Sequence, residues 1–440
     1  MNKSEVYPDT IGVTKDGDLT LGGITLSELA KKYETPLYII DEKTFRRKVQ
    51  NYTSCIKENY NNYLILYAAK AFAAAAIFRI ADNTALGLDI VSGGELYLAE
   101  KCNFPKNKIY FHGNNKSKEE IDYVIKNDAA KIICDNFHEL DLIQKSASDH
   151  KKKVDILIRL TPGIECHTHD YIKTGHLDSK FGFDIEYLDE ILKIIKQHED
   201  KISLKGFHSH IGSQIFELKP YSDSIDILLD QYKYAKEKYG FILDEINIGG
   251  GLGISYISSD DPVDIEDLAK AVTSKLKDKC NKLNLKLPKL ICEPGRSIIG
   301  TSGITIYTAG SIKQVPNGRK YVSVDGGMAD NPRPITYQAK YTALVANKMN
   351  QPEKETVTIA GRYCETGDIL IQDISLPRIS PGDIIAMFGT GAYNYSMSSN
   401  YNTIPRPACI IVNEGVAEVI IERENYKDIT SKHLIPKRLS

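Results

Sequence analysis

Lys70 is the residue best suited to covalent chemistry, because it ends the apolar run YLILYAAK at 63–70. Burial at the end of a strand lowers the pKa of an amine and makes it a nucleophile for Schiff-base formation. A lysine in this position is also often an ordinary side chain that reaches back to solvent, so Lys70 alone leaves both interpretations open. Asp89 and Ser92 close the next apolar run and are candidates for the same site.

The glycine run Gly249-Gly250-Gly251 removes side chains from one turn, so that backbone N–H groups can face an anion such as a phosphate. A dinucleotide site would need GxGxxG in the first βα unit, with an acid about 20 residues later. This run instead follows the seventh apolar run of the chain. A phosphate-bearing cofactor and a plain glycine turn therefore both remain open.

A tight turn has an acid at one end and a cation at the other, in the sequence Glu293-Pro294-Gly295-Arg296. A carboxylate that faces a heterocyclic nitrogen would keep that nitrogen protonated. An ion pair between the glutamate and the arginine is the alternative, and the four residues alone do not decide between the two.

Histidines occur at the ends of two apolar runs, His112 at one and His208 with His210 at the other. Of His208 and His210, we expect one to face the site and the other to be structural. His167 and His169 resemble metal ligands by composition, but no third ligand follows at the usual spacing. We therefore predict no metal site.

Two later segments carry further candidates. Cys364 and Glu365, in GRYCETGD, place a thiol and an acid between turns, where proton transfer and a plain buried thiol are both compatible with the sequence. Tyr393 opens the segment YNYSMSSNYN, whose Ser, Asn and Tyr side chains suit a ligand-binding loop, an interface or an ordinary surface loop.

The elements that must position these residues alternate regularly. Eight short apolar runs lack polar alternation, as strands buried on both faces of a parallel sheet do, and segments with helical spacing, such as 92–101 and 187–197, lie between them. Alternation of this kind predicts an α/β fold with a (β/α)8 TIM-type barrel, although a doubly wound open sheet uses the same elements. In a barrel the candidate residues between Lys70 and Arg296 that close these runs lie at the carboxyl ends of strands, where active sites form. The runs are 63–70, 86–92, 108–113, 131–135, 154–160, 204–212, 245–251 and 289–295.

After about residue 300 strand-like runs replace the helical spacing, at 321–324, 356–360, 383–388 and 409–422, the last with a turn at 413–415. The first forty residues are similar, with a hairpin candidate in DGDLTLGG and a strand in TPLYIID. We therefore predict a mainly-β (barrel or sandwich) domain formed by both chain ends. The expected bounds are 1–42 and 301–440 for that domain and 43–300 for the barrel.

Composition narrows the class of protein. With 440 residues, 42% hydrophobic, 26% charged and a net charge of −2, the chain is an ordinary globular protein without a global basic field for nucleic acid. The most apolar stretch is interrupted by Lys70 and Arg79, so we predict no membrane span. Eight scattered cysteines without CxxC and a polar amino terminus predict reduced thiols in a cytoplasmic protein.

Six ordered motifs together resemble diaminopimelate decarboxylases, which belong to the alanine-racemase-like class of pyridoxal-phosphate enzymes. They are YAAKA (67–71), HSHIGSQ (208–214), GGGLGISY (249–256), EPGR (293–296), CETGD (364–368) and GAYNYSMSSNYN (391–402). The resemblance implies a pyridoxal 5′-phosphate barrel joined to a β domain, in a homodimer with shared active sites. The implied reaction converts meso-2,6-diaminopimelate to L-lysine and CO2.

The resemblance also implies roles by position. Lys70 would carry the cofactor as a Schiff base, His210 would stack on its ring and Glu293 would pair with the ring nitrogen. Cys364 of the partner subunit would donate the proton that follows loss of CO2. The implied cofactor-binding residues are Lys70, Asp89, Ser92, His210, Ser213, Gly249, Gly250, Gly251, Glu293, Pro294, Gly295, Arg296 and Tyr393. The implied substrate-binding residues are Arg296, Arg333, Tyr337, Glu365 and Tyr393.

Other functions would use many of the same residues. A decarboxylase of ornithine, arginine or carboxynorspermidine would keep Lys70, His210, Glu293 and Cys364, but an amine tail would need an acid where a distal carboxylate needs an arginine. Arg333 beside Tyr337 favours diaminopimelate. A non-catalytic homologue would not need Lys70 or Cys364, and a racemase would need a second base on the opposite face.

Overall fold

The first strands of the chain are short and separated by turns, as DGDLTLGG predicts. The structure is a computed structural model that describes residues 6–164 and 179–440, so His167 and His169 lie outside the described residues. β1 pairs antiparallel with β2 and β2 with β3, which confirms the hairpin. The strands are β1 (Gly12–Val13), β2 (Leu19–Leu21), β3 (Ile24–Thr25) and β4 (Leu37–Asp41).

All eight apolar runs form strands of one closed parallel barrel, which confirms the barrel and excludes the open sheet. The ring closes where Ile291 of the last strand pairs with Leu64 of the first. A short strand, β10 (Phe183–Asp184), adds to β9 outside the ring. The barrel strands are β5 (Tyr63–Ala68), β6 (Gly87–Ile90), β7 (Ile109–Phe111), β8 (Lys131–Cys134), β9 (Val154–Thr161), β11 (Ile202–His208), β12 (Glu245–Asn247) and β13 (Lys289–Cys292).

Helices follow the barrel strands, and several begin at a side-chain cap. Ser117 and Glu120 form a reciprocal capping box at the start of α5. Both helices predicted from spacing, at 92–101 and 187–197, are confirmed as α4 and α7. The helices are α1 (Leu26–Tyr33), α2 (Glu42–Asn59), α3 (Ala75–Asn83), α4 (Gly93–Lys101), α5 (Lys118–Asn127), α6 (Phe137–His150), α7 (Leu188–Gln197), α8 (Lys219–Tyr239), α9 (Ile265–Leu283), α10 (Arg296–Ile299), α11 (Arg333–Tyr337) and α12 (Tyr426–Thr430).

Both chain ends build one β sheet, as predicted. Its strand order is β18-β17-β15-β14-β4-β20-β21, with β16 and β19 paired beside β14. Ile39 of β4 lies opposite Ile304 on one side and Ile410 on the other, so an amino-terminal strand joins two carboxy-terminal ones. The strands are β14 (Gly303–Gln314), β15 (Lys320–Val324), β16 (Ala343–Val345), β17 (Glu355–Ala360), β18 (Ile369–Leu376), β19 (Ile384–Phe388), β20 (Ala408–Asn413) and β21 (Val416–Ile421).

Two compact units result, each with its own buried core. The barrel unit comprises Arg46–Ile254 and Asp261–Ile298, and the β unit comprises Met1–Phe45, Ser255–Asp260 and Ile299–Ser440. Leu66, Tyr110, Ile133, Leu157 and Ile291 form a buried cluster within the barrel unit. None of the helices in the described ranges combines the length and the apolar character that crossing a bilayer requires.

Candidate functional site

Lys70 lies in a short 3-10 turn, Ala69–Ala71, directly after β5. Its Nζ donates a hydrogen bond to Oδ2 of Asp89, which follows at the carboxyl end of β6, at 3.0 Å. The Lys70 side chain is 37% exposed, whereas the Asp89 side chain is fully buried. The amine is therefore fixed by a buried carboxylate and still accessible, as covalent chemistry requires.

Glu293, after β13, is buried among donors from three other strands. Its Oε1 lies 2.8 Å from Nε2 of His112 and accepts a hydrogen bond from Nδ2 of Asn247 at 2.6 Å. Its Oε2 lies 3.2 Å from Nε2 of His208. Burial alone would raise the pKa of Glu293, but His112 and His208 outweigh burial and hold that pKa well below its usual range. Glu293 is consequently a buried, ionised acceptor.

The two histidines of the HSH motif have different surroundings. His208 is buried against Glu293, and burial lowers its pKa to about 4. His210 is half-buried, and its Nδ1 accepts a hydrogen bond from the N–H of Gly250 at 3.2 Å. Burial, and then the amine of Lys70, lower the pKa of His210 well below its ordinary value. Both rings are thus neutral near pH 7.

Donor atoms of His112, His208 and Glu293 all lie within 4.8 Å of one another, a set that could hold a metal ion. The sequence reasoning predicted no metal and did not anticipate this grouping, since the three residues follow three different strands. The close contacts of both ring Nε2 atoms with the carboxylate oxygens, at 2.8 Å and 3.2 Å, account for their proximity.

The glycine turn has a backbone that other residues rarely adopt. Gly249 has φ +67° and Gly251 has φ +108°, in the left-handed region. A Cβ on Gly249 would lie 2.7 Å from the carbonyl oxygen of Ser209, and one on Gly250 would lie 2.2 Å from that of Glu293. The turn therefore requires glycine, and it lies beside the acid.

The EPGR turn is joined to the strand that carries Lys70. The carbonyl of Pro294 accepts a hydrogen bond from the N–H of Ala68 at 3.1 Å. Arg296 begins α10, is buried, and its Nη2 donates to Oγ of Ser213 at 3.0 Å. The buried Arg296 and the half-buried Ser213 thus form a pair of a cation and a hydroxyl that suits an anion.

Ser92 acts as the cap of α4. Its Oγ accepts the backbone N–H of Glu95 at 3.2 Å, while Oε2 of Glu95 accepts the N–H of Val91 at 2.7 Å. Burial raises the pKa of Glu95 to about 7. The cap begins the helix that follows Asp89.

In the β unit, Arg333 is paired with tyrosines other than the predicted one. Its Nη1 donates to the hydroxyl of Tyr341 at 2.7 Å, and its Cζ lies 4.6 Å from the centroid of the Tyr256 ring. The Arg333 residue is buried, and its Nε has no hydrogen-bond partner among the described residues. Tyr337 lies half-buried at the end of α11. Sequence reasoning missed Tyr256 and Tyr341, because no local pattern joins them to Arg333.

Cys364 and Glu365 lie on an exposed loop between β17 and β18. The N–H of Cys364 donates to Oδ1 of Asn402 at 2.9 Å, and its carbonyl accepts from the hydroxyl of Tyr401 at 3.4 Å. Oε1 of Glu365 accepts the N–H of Gly367 at 3.3 Å. The thiol is therefore exposed on a loop whose backbone is fixed by the YNYSMSSNYN segment.

Tyr393, which opens that segment, is half-buried and has φ +60°. A positive φ is uncommon for a residue with a large side chain, and such strain often occurs where a side chain must point in one direction for function.

A buried acid that the sequence did not single out joins the loops of Arg333 and Cys364. Oδ1 of Asp368 accepts the N–H of Met328 at 2.7 Å, and Oδ2 accepts the N–H of Tyr363 at 2.8 Å. The hydroxyl of Tyr363 donates to Oδ1 of Asp330 at 3.0 Å. Burial raises the pKa of Asp330 to about 7. The D of CETGD is the signal that could have identified Asp368.

Comparison with known proteins is consistent with this chemistry. Residues 43–300 match the family model for the pyridoxal-dependent decarboxylases, pyridoxal binding domain. The chain is 46% identical over 443 residues to a diaminopimelate decarboxylase of Synechocystis, covering 99% of this chain and 94% of that protein. It is 42% identical to the enzyme of that name from Bacillus subtilis, covering 95% of each.

A solved structure is similar over nearly the whole chain. It is the crystal structure of diaminopimelate decarboxylase from M. jannaschii in co-complex with L-lysine, at 35% identity and a TM-score of 0.91. The match covers 98% of this chain and 99% of that one.

Proposed function

This chain belongs to the diaminopimelate decarboxylases, a family of pyridoxal-dependent decarboxylases, and from that premise we propose that it converts meso-2,6-diaminopimelate to L-lysine and CO2. The observation that carries the proposal is the Lys70 amine, held 3.0 Å from buried Asp89 in the barrel unit that also holds Glu293 and the glycine turn. The substrate follows from the names of the full-length relatives and from the lysine complex of the M. jannaschii enzyme.

The cofactor is pyridoxal 5′-phosphate, and the residues present fit it. A phosphate needs closely approaching N–H groups, and Gly251 of the glycine turn has φ +108° and no room for a Cβ. A pyridine nitrogen that stays protonated needs an ionised acid, and Glu293 is buried and ionised. An aldehyde needs an accessible amine, which Lys70 supplies.

We assign the cofactor contacts as part of this proposal. The glycine turn with Arg296 and Ser213 would bind the phosphate, His210 would stack on the ring, and Asp89 would hold Lys70 in place. Two observations support the stacking of His210 on the ring: its imidazole is neutral, and its Nδ1 already accepts the N–H of Gly250. The remaining cofactor-binding residues are Ser92, Gly251, Pro294, Gly295 and Tyr393.

When bound, pyridoxal phosphate accepts electron density from the substrate α-carbon, so that CO2 can leave. Lys70 would hold the cofactor covalently and exchange with the substrate amine. Glu293 would keep a proton on the ring nitrogen, because the pKa of Glu293 lies well below its usual range. Cys364 would then deliver a proton from Sγ to the carbon that lost CO2.

The distal end of the substrate is a second amino acid group. Arg333, Arg296 and Tyr337 would bind its carboxylate, and Glu365 would bind its amine. An arginine fork suits a planar carboxylate, and the Nε of Arg333 is buried without a hydrogen bond among the described residues. Tyr393 would reach the phosphate or the substrate.

We also propose a cytoplasmic homodimer in which each active site takes Cys364 and Glu365 from the partner subunit. Both residues are exposed on their loop, as a contribution to another subunit requires. The seven cysteines in the described ranges are all free, which suits a reducing compartment. The family-model match at 43–300 supports the proposed bounds of the cofactor-binding barrel.

The test is to supply purified protein and pyridoxal phosphate with meso-diaminopimelate and to measure both CO2 and L-lysine. Equal amounts of the two products are expected. A decarboxylase of ornithine, arginine or carboxynorspermidine is the alternative, and CO2 release from one of those amino acids without release from diaminopimelate would establish it instead.

A further inference from the structure

Asn247, the last residue of β12, contacts both groups that were assigned to opposite ends of the cofactor. Its side chain is completely buried. Nδ2 donates to Oε1 of Glu293 at 2.6 Å, and Oδ1 accepts the N–H of Gly249 at 2.9 Å. One short side chain therefore links the acid to the glycine turn.

The direction of these two hydrogen bonds is fixed by their partners. The N–H of Gly249 can only donate, so Oδ1 of Asn247 must face it, and the amide nitrogen must face Glu293. The amide group donates without being able to lose its proton. Asn247 thus stabilises the ionised form of Glu293 and satisfies a buried backbone donor at a residue with φ +67°.

We propose that Asn247 is a positioning residue that fixes the ring-binding acid and the phosphate-binding turn relative to each other, so that pyridoxal phosphate engages both together. This inference rests on the proposed function, because it takes Glu293 and the glycine turn as cofactor contacts. A merely structural asparagine would satisfy the turn without affecting the charge state of Glu293.

The substitution Asn247→Asp separates the two contacts. The new side chain can still accept from Gly249, but it places a second carboxylate against Glu293. The two acids would then compete for one proton, as like charges at hydrogen-bond distance do. His112 and His208 contact Glu293, and the other titratable groups that interact with it electrostatically among the described residues include His210, Arg159, Tyr110 and Cys292.

The experiment is a titration of the cofactor-free protein with pyridoxal phosphate, followed by absorbance, at pH 6 and pH 8. At pH 8 we expect Asn247→Asp to bind at least about tenfold more weakly than wild type, as loss of a charge-assisted hydrogen bond predicts. At pH 6 the difference in affinity between Asn247→Asp and wild type should be smaller, because a proton shared by the two carboxylates restores the hydrogen bond between residue 247 and Glu293. Equal dissociation constants for the two proteins at both pH values would overturn the inference.

Asn136 provides the matched control. It also follows a barrel strand, and its side chain likewise accepts a backbone N–H, from Glu139 at 3.0 Å, and donates at 3.0 Å, but to the carbonyl of Asn114 rather than to an acid. Asn136→Asp should leave the pH dependence of cofactor binding as in wild type. A matching pH-dependent loss in Asn136→Asp would also overturn the inference.

Rescue provides a second readout. In the Glu293→Gln protein the new amide can donate to the aspartate that Asn247→Asp introduces. Adding Asn247→Asp should therefore lower the affinity for pyridoxal phosphate several-fold less in Glu293→Gln than in wild type. If Asn247→Asp lowered the affinity equally in both proteins, Asn247 would not act through Glu293. If Asn247→Asp does not fold, Asn247→Ser takes its place and should bind more weakly at both pH values, with unchanged affinity overturning the inference.

The two proposals fail differently. A wild-type protein that does not bind pyridoxal phosphate contradicts the proposed function. Wild-type binding and CO2 release together with an unaffected Asn247→Asp contradict only the role of Asn247.

Discussion

The Nζ atom of Lys70 lies 3.0 Å from Oδ2 of Asp89, and the Asp89 side chain has no solvent exposure. A buried carboxylate is costly unless a cation or hydrogen bonds compensate it. The other oxygen of Asp89 lies 3.7 Å from Nε2 of His112, which connects the Lys70 pair to the Glu293 cluster. The groups assigned to the covalent bond and to the ring nitrogen are therefore adjacent in one network.

Replacing Lys70 tests the covalent role. Lys70→Ala should abolish the visible absorbance of the lysine-linked cofactor and nearly all CO2 release, because no other amine replaces it. Lys70→Arg keeps a cation against Asp89 but cannot form a Schiff base, so it should fold normally and be equally inactive. Wild-type turnover by Lys70→Arg would refute the assignment.

Cys364 should matter for protonation and not for cofactor binding. We expect Cys364→Ala to keep the absorbance of the bound cofactor and to lower kcat by roughly 10²–10⁴, the range for loss of a general acid. Cys55, a half-buried thiol on α2, is the control, and Cys55→Ala should be as active as wild type. An unchanged kcat in Cys364→Ala would assign the proton to another group.

Arg333 should determine recognition of the distal carboxylate. Arg333→Lys retains the charge but loses the fork, so KM for diaminopimelate should rise about tenfold or more with a smaller change in kcat. Tyr341→Phe removes the hydroxyl that accepts from Arg333 at 2.7 Å and should raise KM less.

Arg319, which bonds Asp373 on the surface, is the control for the Arg333 series. Arg319→Lys should have wild-type kinetics. If KM were the same in Arg333→Lys as in wild type, the distal carboxylate would bind elsewhere.

The buried carboxyl of Asp330 should make the free energy of unfolding depend on pH. Burial raises its folded pKa to about 7, above the value of about 3.9 expected in the unfolded chain. The folded state therefore binds a proton more tightly, and its contribution to the free energy of unfolding is lost as pH rises from about 4 to 7. Between pH 5 and pH 8, the free energy of unfolding of wild type should fall by about 3 kcal/mol more than that of Asp330→Asn.

Chemical denaturation at the two pH values measures that difference. Asp16→Asn, at an exposed loop position, should retain the wild-type pH dependence. The same slope in Asp330→Asn as in wild type would show that another group titrates.

The barrel could be predicted from the sequence because its strands are mainly apolar runs without polar alternation, and most of these runs end at a polar residue or a glycine. Lys70 and Glu293 stand out for the same reason. The sheet formed by both chain ends was also predictable in outline, since TPLYIID and the later runs share a strand pattern.

Long-range contacts within the site could not be predicted in this way. Tyr256 and Tyr341 lie 77 and 8 residues from Arg333 in sequence, and only folding brings their rings against it. Asn247 is an ordinary residue before a glycine run until its two hydrogen bonds are seen. Such residues act through contacts, and no spacing rule identifies them.

The most direct measurement of the central claim is kcat/KM for CO2 release by the holoenzyme, determined for meso-diaminopimelate, ornithine, arginine and carboxynorspermidine in one preparation. We expect efficient release from diaminopimelate with L-lysine as the product, and little or none from the other three. Higher kcat/KM for any of those three than for diaminopimelate would contradict it.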